Sequence, residues 1–172
     1  MSRMAARLFS LLVTMLPQHG VSRVVHALAR WRWRPWKNLL IRIFSRVYAV
    51  DRGEAAASDS HAYVSFNDFF TRALAPGARP LETSPDAVIS PVDGSISEFG
   101  TITAGRLIQA KGQDYGVTEL LGGDEALAGQ FEDGHFATLY LSPRDYHRVH
   151  MPVAGSLQRM LHVPGRLFGV SR

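Results

Sequence analysis

The sequence predicts an α+β protein in which N-terminal amphipathic helices precede a β-rich domain of sandwich or barrel type. Apolar residues recur at helical spacing through residues 21–47, which indicates helices. From residue 87 onward, short runs rich in β-branched residues alternate with glycine-containing turns, which indicates strands. With 46% hydrophobic and 20% charged residues, the 172-residue chain is not disordered throughout.

The charge of the chain is divided unevenly between these two parts. Residues 1–50 carry nine of the 19 Lys and Arg residues and none of the 15 Asp and Glu residues. The other 122 residues therefore sum to −5 (10 − 15), and the two parts are expected to meet different partners. The absence of cysteine excludes disulfides, thiolate metal sites and cysteine nucleophiles.

Two amphipathic helices are predicted in the basic part, with a break near Pro35. The uninterrupted apolar run at 8–16 is nine residues long, whereas a bilayer span needs about 20, so no transmembrane helix is predicted. A secretory signal is the main competing interpretation, but Pro17-Gln18-His19 offers no small-residue cleavage site, which favours a retained segment. The apolar positions are Val21, Val24, Val25 and Leu28 in the first helix, and Trp36, Leu40, Ile43 and Val47 in the second.

All three tryptophans fall within six residues and alternate with cations. Indole rings at headgroup level beside cations facing anionic lipid are typical of a helix lying in a membrane interface. Packing of the apolar faces on the rest of the protein explains the pattern equally well. Nucleic acid ranks last, because no recognised binding motif accompanies the segment. The candidate membrane-associating residues are Trp31, Trp33, Trp36, Arg30, Arg32, Arg34 and Lys37.

Three domains or segments follow from the pattern: basic helices over 1–50, a linker over 51–64, and a β-rich domain over 65–172. The linker loses the hydrophobic period and gains Ser, Ala and acid. Ser65 then resembles an N-cap of a short helix that ends at Pro76-Gly77. Its core-facing side chains would be Phe66, Phe69, Phe70 and Leu74. Later strands are predicted in AVISPV (87–92), SISEFGTI, RLIQAKG, HFATLYL and the run from 151. A helical segment, YGVTELLG, is predicted between them.

Two places carry residues suited to chemistry. Asp93 lies in Ser-Pro-Val-Asp-Gly, where Asp-Gly alone favours a turn role over a catalytic one. The segment 142–150 (SPRDYHRVH) concentrates charged and aromatic side chains after an apolar strand, and Ser142 would begin a single helical turn. In an extended chain His147 and His150 point to opposite faces, and in a helical turn they share one. Two histidines without a third ligand do not predict a metal site.

Taken in order, four motifs resemble those of the phosphatidylserine decarboxylase family. They are FNDFFTRALAPGARPL (66–81), SPVDG (90–94), QAKGQDYGVTELLGG (109–123) and YLSPRDYHRVHMPVAG (140–155). The order and gaps match, and the resemblance covers roughly residues 35 to 170. The last motif is the most specific of the four.

The resemblance implies a pyruvoyl-dependent decarboxylase made as a zymogen. In that family a later serine attacks the preceding carbonyl, and cleavage leaves a pyruvoyl group. By motif position, Asp93 resembles the acid that orients a base, His150 the general base, and His147 a second histidine that handles the substrate or protonates the product. The pyruvoyl carbonyl would form a Schiff base with phosphatidylserine and act as an electron sink, giving phosphatidylethanolamine.

One departure concerns the cleavage serine, which the family carries in a Leu-Gly-Ser-Thr type motif. The pairs Gly94-Ser95 and Gly155-Ser156 lie inside other motifs and lack its flanks. The chain therefore resembles the N-terminal part of the proenzyme, with a catalytic domain incomplete at its C-terminus and no activity alone.

The expected partners are phosphatidylserine, the anionic cytoplasmic face of the inner membrane, where the protein would be peripheral, and the smaller pyruvoyl-bearing subunit. A homodimer is compatible with the resemblance, and nucleic acid is not expected. The alternative is a non-enzymatic module that binds membrane surfaces, in which both histidines are structural.

Overall fold

The computed structural model describes residues 18–84, 86–109 and 113–163. The apolar run predicted at 8–16 lies outside the described residues. Helix α1 spans Gln18–Arg30 and helix α2 spans Arg34–Val47, so the two predicted helices are confirmed. Pro35 stands in the first turn of α2, where its missing N–H leaves no hydrogen bond unmade. The indole Nε1 of Trp36 donates to the Leu28 carbonyl at 3.0 Å and fixes the break between the helices.

Helix α2 packs through a different stripe from the one predicted. Ile41 is fully buried and Phe44 packs against the same core. Ile43 and Val47, which belong to the predicted apolar stripe, are 50% and 67% exposed. The helix therefore has two apolar stripes, one that packs in the core at Ile41 and one that is half or more exposed at Ile43 and Val47.

A small aromatic core joins α2 to the chain that follows it. Its buried members are Ile41, Val50, Tyr63 and Phe69. Helix α3, Phe66–Phe70, supplies Phe69, which is 1% exposed, so the predicted core role of this side chain is confirmed. Tyr63 and Phe69 meet edge to face with ring centroids 5.3 Å apart, an arrangement favoured by the ring quadrupoles.

Helix α3 is shorter than the sequence predicted. The Ser65 hydroxyl accepts from the Asp68 amide at 3.2 Å, as expected of an N-cap. The helix ends at Phe70, and Leu74 instead forms an isolated antiparallel bridge with Ala55. The prediction that the helix reaches Pro76-Gly77 is wrong, because backbone pairing with residues 54–56 competes for this stretch.

The predicted linker at 51–64 contains one turn of 3-10 helix, Ser60–Ala62. Ala55 and Tyr63 within it are 7% and 8% exposed. The segment is thus packed against the helices, and the domain boundary placed there remains a prediction.

The strands form two antiparallel pairs in the part of the chain that is described. Strand β1, Ser95–Thr101, pairs with β4, His135–Tyr140, and β2, Arg106–Gln109, pairs with β3, Gln113–Gly116. Helices α4, Val117–Leu120, and α5, Glu125–Gly129, lie between β3 and β4 in sequence. The α+β class is confirmed, and the described strands do not close into a barrel.

The strands predicted at 87–92 and from 151 are wrong, and two prolines explain why. Ile89 N–H donates to the Pro152 carbonyl at 3.0 Å, and His150 N–H donates to the Pro91 carbonyl at 2.8 Å. These contacts have antiparallel spacing, but Pro91 and Pro152 have no N–H to return the bonds. A regular ladder therefore does not form, although the two segments lie side by side.

Candidate functional site

A cleft of about 510 Å³ lies where these two segments meet. Its walls are formed by parts of the chain at 73–81 and 89–93, together with Tyr146 and His150. Asp93 and His150 both line it, although 57 positions (150 − 93) separate them in sequence. The structure therefore brings the predicted acid and the predicted base to one cleft.

The turn that carries Asp93 depends on Gly94. Its φ of 149° is a conformation that L side chains rarely adopt, and a Cβ at this position would clash with the carbonyl oxygen of Tyr140 on β4. Glycine thus lets the turn pass directly into β1 at Ser95 and lie close against β4.

The Asp93 carboxylate is held by an arginine that sequence reasoning missed. Arg79 donates from Nε to the two carboxylate oxygens at 3.2 and 3.1 Å, and from Nη2 to Oδ2 at 2.6 Å. The same Nη2 forms an ion pair with Glu54, and Nη1 donates to the Ala78 carbonyl at 2.8 Å. Hydrogen bonds to Asp93 first, and then to Glu54, raise the pKa of Arg79 further above its usual range.

The imidazole of His150 is bound to a buried tyrosine. Its Nε2 lies 2.9 Å from the Tyr146 hydroxyl in a hydrogen bond, and the two rings stack with centroids 5.4 Å apart. Tyr146 is 6% exposed, whereas His150 is exposed. The buried tyrosine therefore holds the imidazole ring of His150 at the protein surface. No hydrogen bond joins Asp93 to His150 within the described residues; Asp93 is bonded to Arg79, and His150 is bonded to Tyr146.

His147 occupies a different environment. Its ring stacks on Phe70 of α3 at a centroid distance of 4.1 Å and an interplanar angle of 19°. Burial lowers the pKa of His147, so the neutral imidazole is favoured. Its buried Nε2 has no hydrogen-bond partner among the described residues. Of the two arrangements left open by the sequence, the structure has the extended one, with His147 packed and His150 at the cleft.

Backbone contacts fix the segment that carries both histidines. Ser142 N–H donates to Asp145 Oδ2 at 2.6 Å and Asp145 N–H donates to the Ser142 carbonyl at 2.9 Å. They close the single turn predicted to begin at Ser142, after which the chain continues without a helix. Arg72 Nη2 donates to the Arg144 carbonyl at 3.1 Å, and Arg148 Nε donates to the Thr71 carbonyl at 2.8 Å.

The basic helices present the predicted aromatic cluster at their junction. Trp31 lies 5.5 Å from Trp33 and 6.1 Å from Trp36 between ring centroids, and the first two are 50% and 56% exposed. Arg30, Arg32 and Arg34 are exposed. Lys37 differs, because it is only 4% exposed and its Nζ donates to the Ser60 carbonyl at 2.8 Å.

Burial lowers the pKa of Lys37. Its ammonium group is hydrogen-bonded inside the fold, and a membrane-associating role for it remains a prediction. Across the described residues, no helix is both long enough and apolar enough to cross a bilayer.

Comparison with known proteins identifies a family. The family model described as phosphatidylserine decarboxylase matches residues 66–172, and a second model, described as PSD, matches residues 8–49. The chain is 59% identical over 157 residues to a phosphatidylserine decarboxylase proenzyme of Alkalilimnicola ehrlichii, which covers 91% of this chain and 54% of the relative.

Two further proenzymes of the same name give similar results. That of Pseudomonas fluorescens is 54% identical over 169 residues, covering 98% of this chain and 59% of the relative. That of Bordetella pertussis is 57% identical over 155 residues, covering 90% and 52%. The chain belongs to the phosphatidylserine decarboxylase family, and it spans a little over half the length of the curated relatives that it matches.

Proposed function

We propose that this chain supplies the larger part of a decarboxylase that converts phosphatidylserine to phosphatidylethanolamine and carbon dioxide at a membrane surface. The observation that carries the proposal is the meeting of Asp93 and His150 in one cleft of about 510 Å³. Family membership gives the reaction class, and the two residues fall in the motifs at 90–94 and 140–155.

In the proposed self-cleavage, His150 acts as the base that takes the proton from a serine hydroxyl. An imidazole suits this step because its pKa in model compounds lies near neutrality, and a carboxylate is needed to fix its tautomer and orientation. His150 is exposed at the cleft and so is open to an incoming hydroxyl. Asp93 is the proposed orienting carboxylate.

A pyruvoyl group, formed from a serine outside the motifs described above, fits what the chain offers. The buried Nε2 of His147 has no partner among the described residues, whereas buried ring nitrogens normally have one. A hydrogen-bonding group from another segment or from the substrate would complete its hydrogen bonding. When bound, the pyruvoyl group supplies an electron sink for the loss of carbon dioxide. Neutral His147 is proposed to hold the substrate or to return a proton to the product.

The proposed protein partner is the smaller pyruvoyl-bearing subunit. Strand β1 leaves Ile96 and Phe99 exposed at 62% and 77%, and Val88 and Val149 beside the cleft are exposed at 75% and 76%. Monomeric proteins seldom leave so many large apolar side chains uncovered in one region. The subunit is proposed to cover β1 and to bring its serine-derived group to His150.

The helices are proposed to bind anionic lipid. Helix α1 exposes Val24 and Val25 at 59% and 58%, and α2 exposes Ile43 and Val47. Residues 1–50 carry nine cations and no carboxylate, which suits a negatively charged surface better than an acidic-and-basic protein interface. The cytoplasmic face of the inner membrane is the proposed location.

The catalytic proposal is tested in a precursor extended to the length of the relatives. His150→Ala is expected to block self-cleavage on a denaturing gel, because a serine hydroxyl without its base is a weak nucleophile. His147→Ala is expected to permit cleavage but to reduce carbon dioxide release. The 172-residue chain alone is expected to release none.

His61→Ala serves as the control, since His61 is exposed and lies outside the cleft. Normal processing of the His150→Ala precursor, or decarboxylation by the 172-residue chain, would contradict the assignment.

Vesicle flotation tests the membrane proposal. Ile43→Ser is expected to reduce recovery on anionic vesicles at low salt without changing the thermal unfolding temperature, because this side chain is half exposed. Lys37→Met is the contrasting variant, expected to leave the charge-dependent recovery nearly unchanged. Equal recovery of the unaltered chain on neutral and anionic vesicles would refute the electrostatic part.

A further inference from the structure

The contacts around Asp93 point to a role for Arg79, which is not among the predicted site residues. We infer that Arg79 is a positioning residue for self-cleavage, which clamps the Asp93 carboxylate at the cleft wall and is itself anchored by Glu54. The inference rests on the proposed function, since it gives Asp93 the part of orienting acid. It concerns how the acid is held before the serine-bearing segment meets it.

The guanidinium group of Arg79 clamps the Asp93 carboxylate. Arg79 contacts both oxygens of Asp93 and uses two of its nitrogens to do so. A planar guanidinium fixes both the distance and the plane of a carboxylate, which a point charge does not. The carboxylate of Asp93 is therefore held in one orientation, and not left to rotate in the turn at 90–94.

The clamped carboxylate keeps free capacity to accept a further hydrogen bond. Oδ2 receives the short 2.6 Å bond and a second at 3.1 Å, whereas Oδ1 receives a single bond of 3.2 Å. An ionised carboxylate has about four acceptor positions. Oδ1 thus retains capacity to accept an imidazole N–H, and Asp93 and His150 line the same cleft. The clamp and the proposed orienting role are compatible.

Glu54 anchors the arginine. Glu54 pairs with Nη2 of Arg79, and its own backbone is fixed, since Ala75 N–H donates to the Glu54 carbonyl at 2.8 Å. The neighbouring Ala55 bridges Leu74. Three separate stretches of chain, at 54–56, 73–79 and 90–94, therefore converge on the carboxylate. A side chain shared by two carboxylates is better fixed than one in a single exposed pair.

The experiment measures self-cleavage of the full-length precursor by gel, with thermal unfolding of each variant as the check on folding. Arg79→Gln is expected to slow cleavage by about tenfold or more, the effect of losing a fixed orientation at the reacting groups. Arg79→Lys keeps the charge without the fork and is expected to cleave at an intermediate rate. Glu54→Gln leaves the clamp in place and is expected to have the smallest effect.

A double variant separates positioning from general stabilisation. If Arg79 acts through Asp93, Arg79→Gln combined with Asp93→Asn cleaves no more slowly than Asp93→Asn alone. Arg159→Gln is the matched control, because it removes another arginine–aspartate contact, to Asp124 at 3.3 Å, outside the cleft lining. If Arg79→Gln fails to fold, the rate of a folded Arg79→Lys precursor decides the matter.

Cleavage of a folded Arg79→Lys or Arg79→Gln precursor at the unaltered rate would overturn the inference while leaving the proposed function intact. A double variant slower than Asp93→Asn by the full factor of Arg79→Gln would do the same. Normal cleavage of Asp93→Asn would instead remove the orienting role of Asp93 and the inference with it.

Discussion

The helical region, residues 34–72, and the strand region, residues 88–163, bury their apolar side chains to very different extents. In the helical region Ile41 and Phe69 are 0% and 1% exposed and lie at the centre of an aromatic cluster. In the strand region Phe99 is 77% exposed, on a strand paired with a single neighbour. The helical region resembles a closed core, whereas the strand region resembles one half of an interface.

This difference bears on how the site is built. A pair of strands without a covered apolar face is marginally stable in water. The histidine-bearing segment is nevertheless held, because it leans on the helical region through Phe70, Thr71 and Arg72. The helical region therefore positions the candidate site, and the strand region offers the surface on which a partner is proposed to complete it.

The largest expected effect tests the closed core. Phe69→Ala should lower the free energy of unfolding of the chain by about 3–5 kcal/mol, the usual cost of truncating a buried phenylalanine. Phe99→Ala is the matched substitution in the strand region and should change it by less than about 0.5 kcal/mol. Urea unfolding followed by tryptophan fluorescence is suitable, since all three tryptophans lie in residues 31–36. Equal losses of unfolding free energy for Phe69→Ala and Phe99→Ala would contradict the difference in burial between the two regions.

The second effect tests the half-interface. Phe99→Ala should lower the unfolding free energy by about 1.5–3 kcal/mol when measured in the full-length precursor, the value for burying such a side chain. The same substitution costs little in the 172-residue chain, so the difference between the two backgrounds measures coverage of β1. Val47→Ala, on the exposed stripe of α2, is the control expected to behave alike in both. A Phe99→Ala cost unchanged between the two backgrounds would mean that β1 stays uncovered.

A smaller effect is expected at the junction of the two regions. Arg148→Gln removes the bond to the Thr71 carbonyl and should cost about 1 kcal/mol, the net value of one hydrogen bond. In this variant the rate of hydrogen exchange, relative to the unaltered chain, should rise more at 142–150 than at α2. The junction contacts would be unimportant if exchange at both places stayed the same.

Much of this arrangement follows from local sequence, and the remainder does not for identifiable reasons. The helices at 18–47, the N-cap at Ser65 and strand β1 were predicted because spacing and caps act over a few residues. The false strands at 87–92 and from 151 contain Pro91 and Pro152, whose missing donors matter only once the two segments pair. A proline within a run that otherwise resembles a strand argues against a regular strand there.

The candidate site shows the same division. Asp93, His147 and His150 are predicted from their motifs, whereas Arg79 lies in the motif at 66–81 without a predicted role and Glu54 lies in no motif. Glu54 lies in a stretch that reads as a linker, and nothing near Arg79 in sequence marks it as a partner of Asp93. Long-range ion pairs carry no periodic signal, so a contact across 14 positions has to be read from the structure. Tyr146 lay inside the segment singled out, but its bond to His150 was not foreseen.

The smallest expected effect concerns His147, which links the two regions through its stack on Phe70. Burial lowers the pKa of His147, and this outweighs the opposing effects of the Pro143 backbone and Asp145. In the unfolded chain the pKa of a histidine is about 6.5. Above that pH both states carry a neutral ring and stability is complete. As the pH falls through about 6.5 toward the lower pKa of the folded state, the unfolded state binds the proton first and stability is lost.

His147→Phe keeps an aromatic ring against Phe70 but cannot titrate. It should therefore reduce the fall in unfolding free energy at acid pH (the acid limb). Between pH 7.5 and pH 5, the free energy of unfolding of His147→Phe should therefore fall less than that of the unaltered chain. His61→Phe removes an exposed histidine and provides the control. Unfolding free energies from urea titrations at several pH values would measure the difference. An acid limb that is the same for His147→Phe and the unaltered chain would show that the stacked ring does not couple protonation to the junction of the two regions.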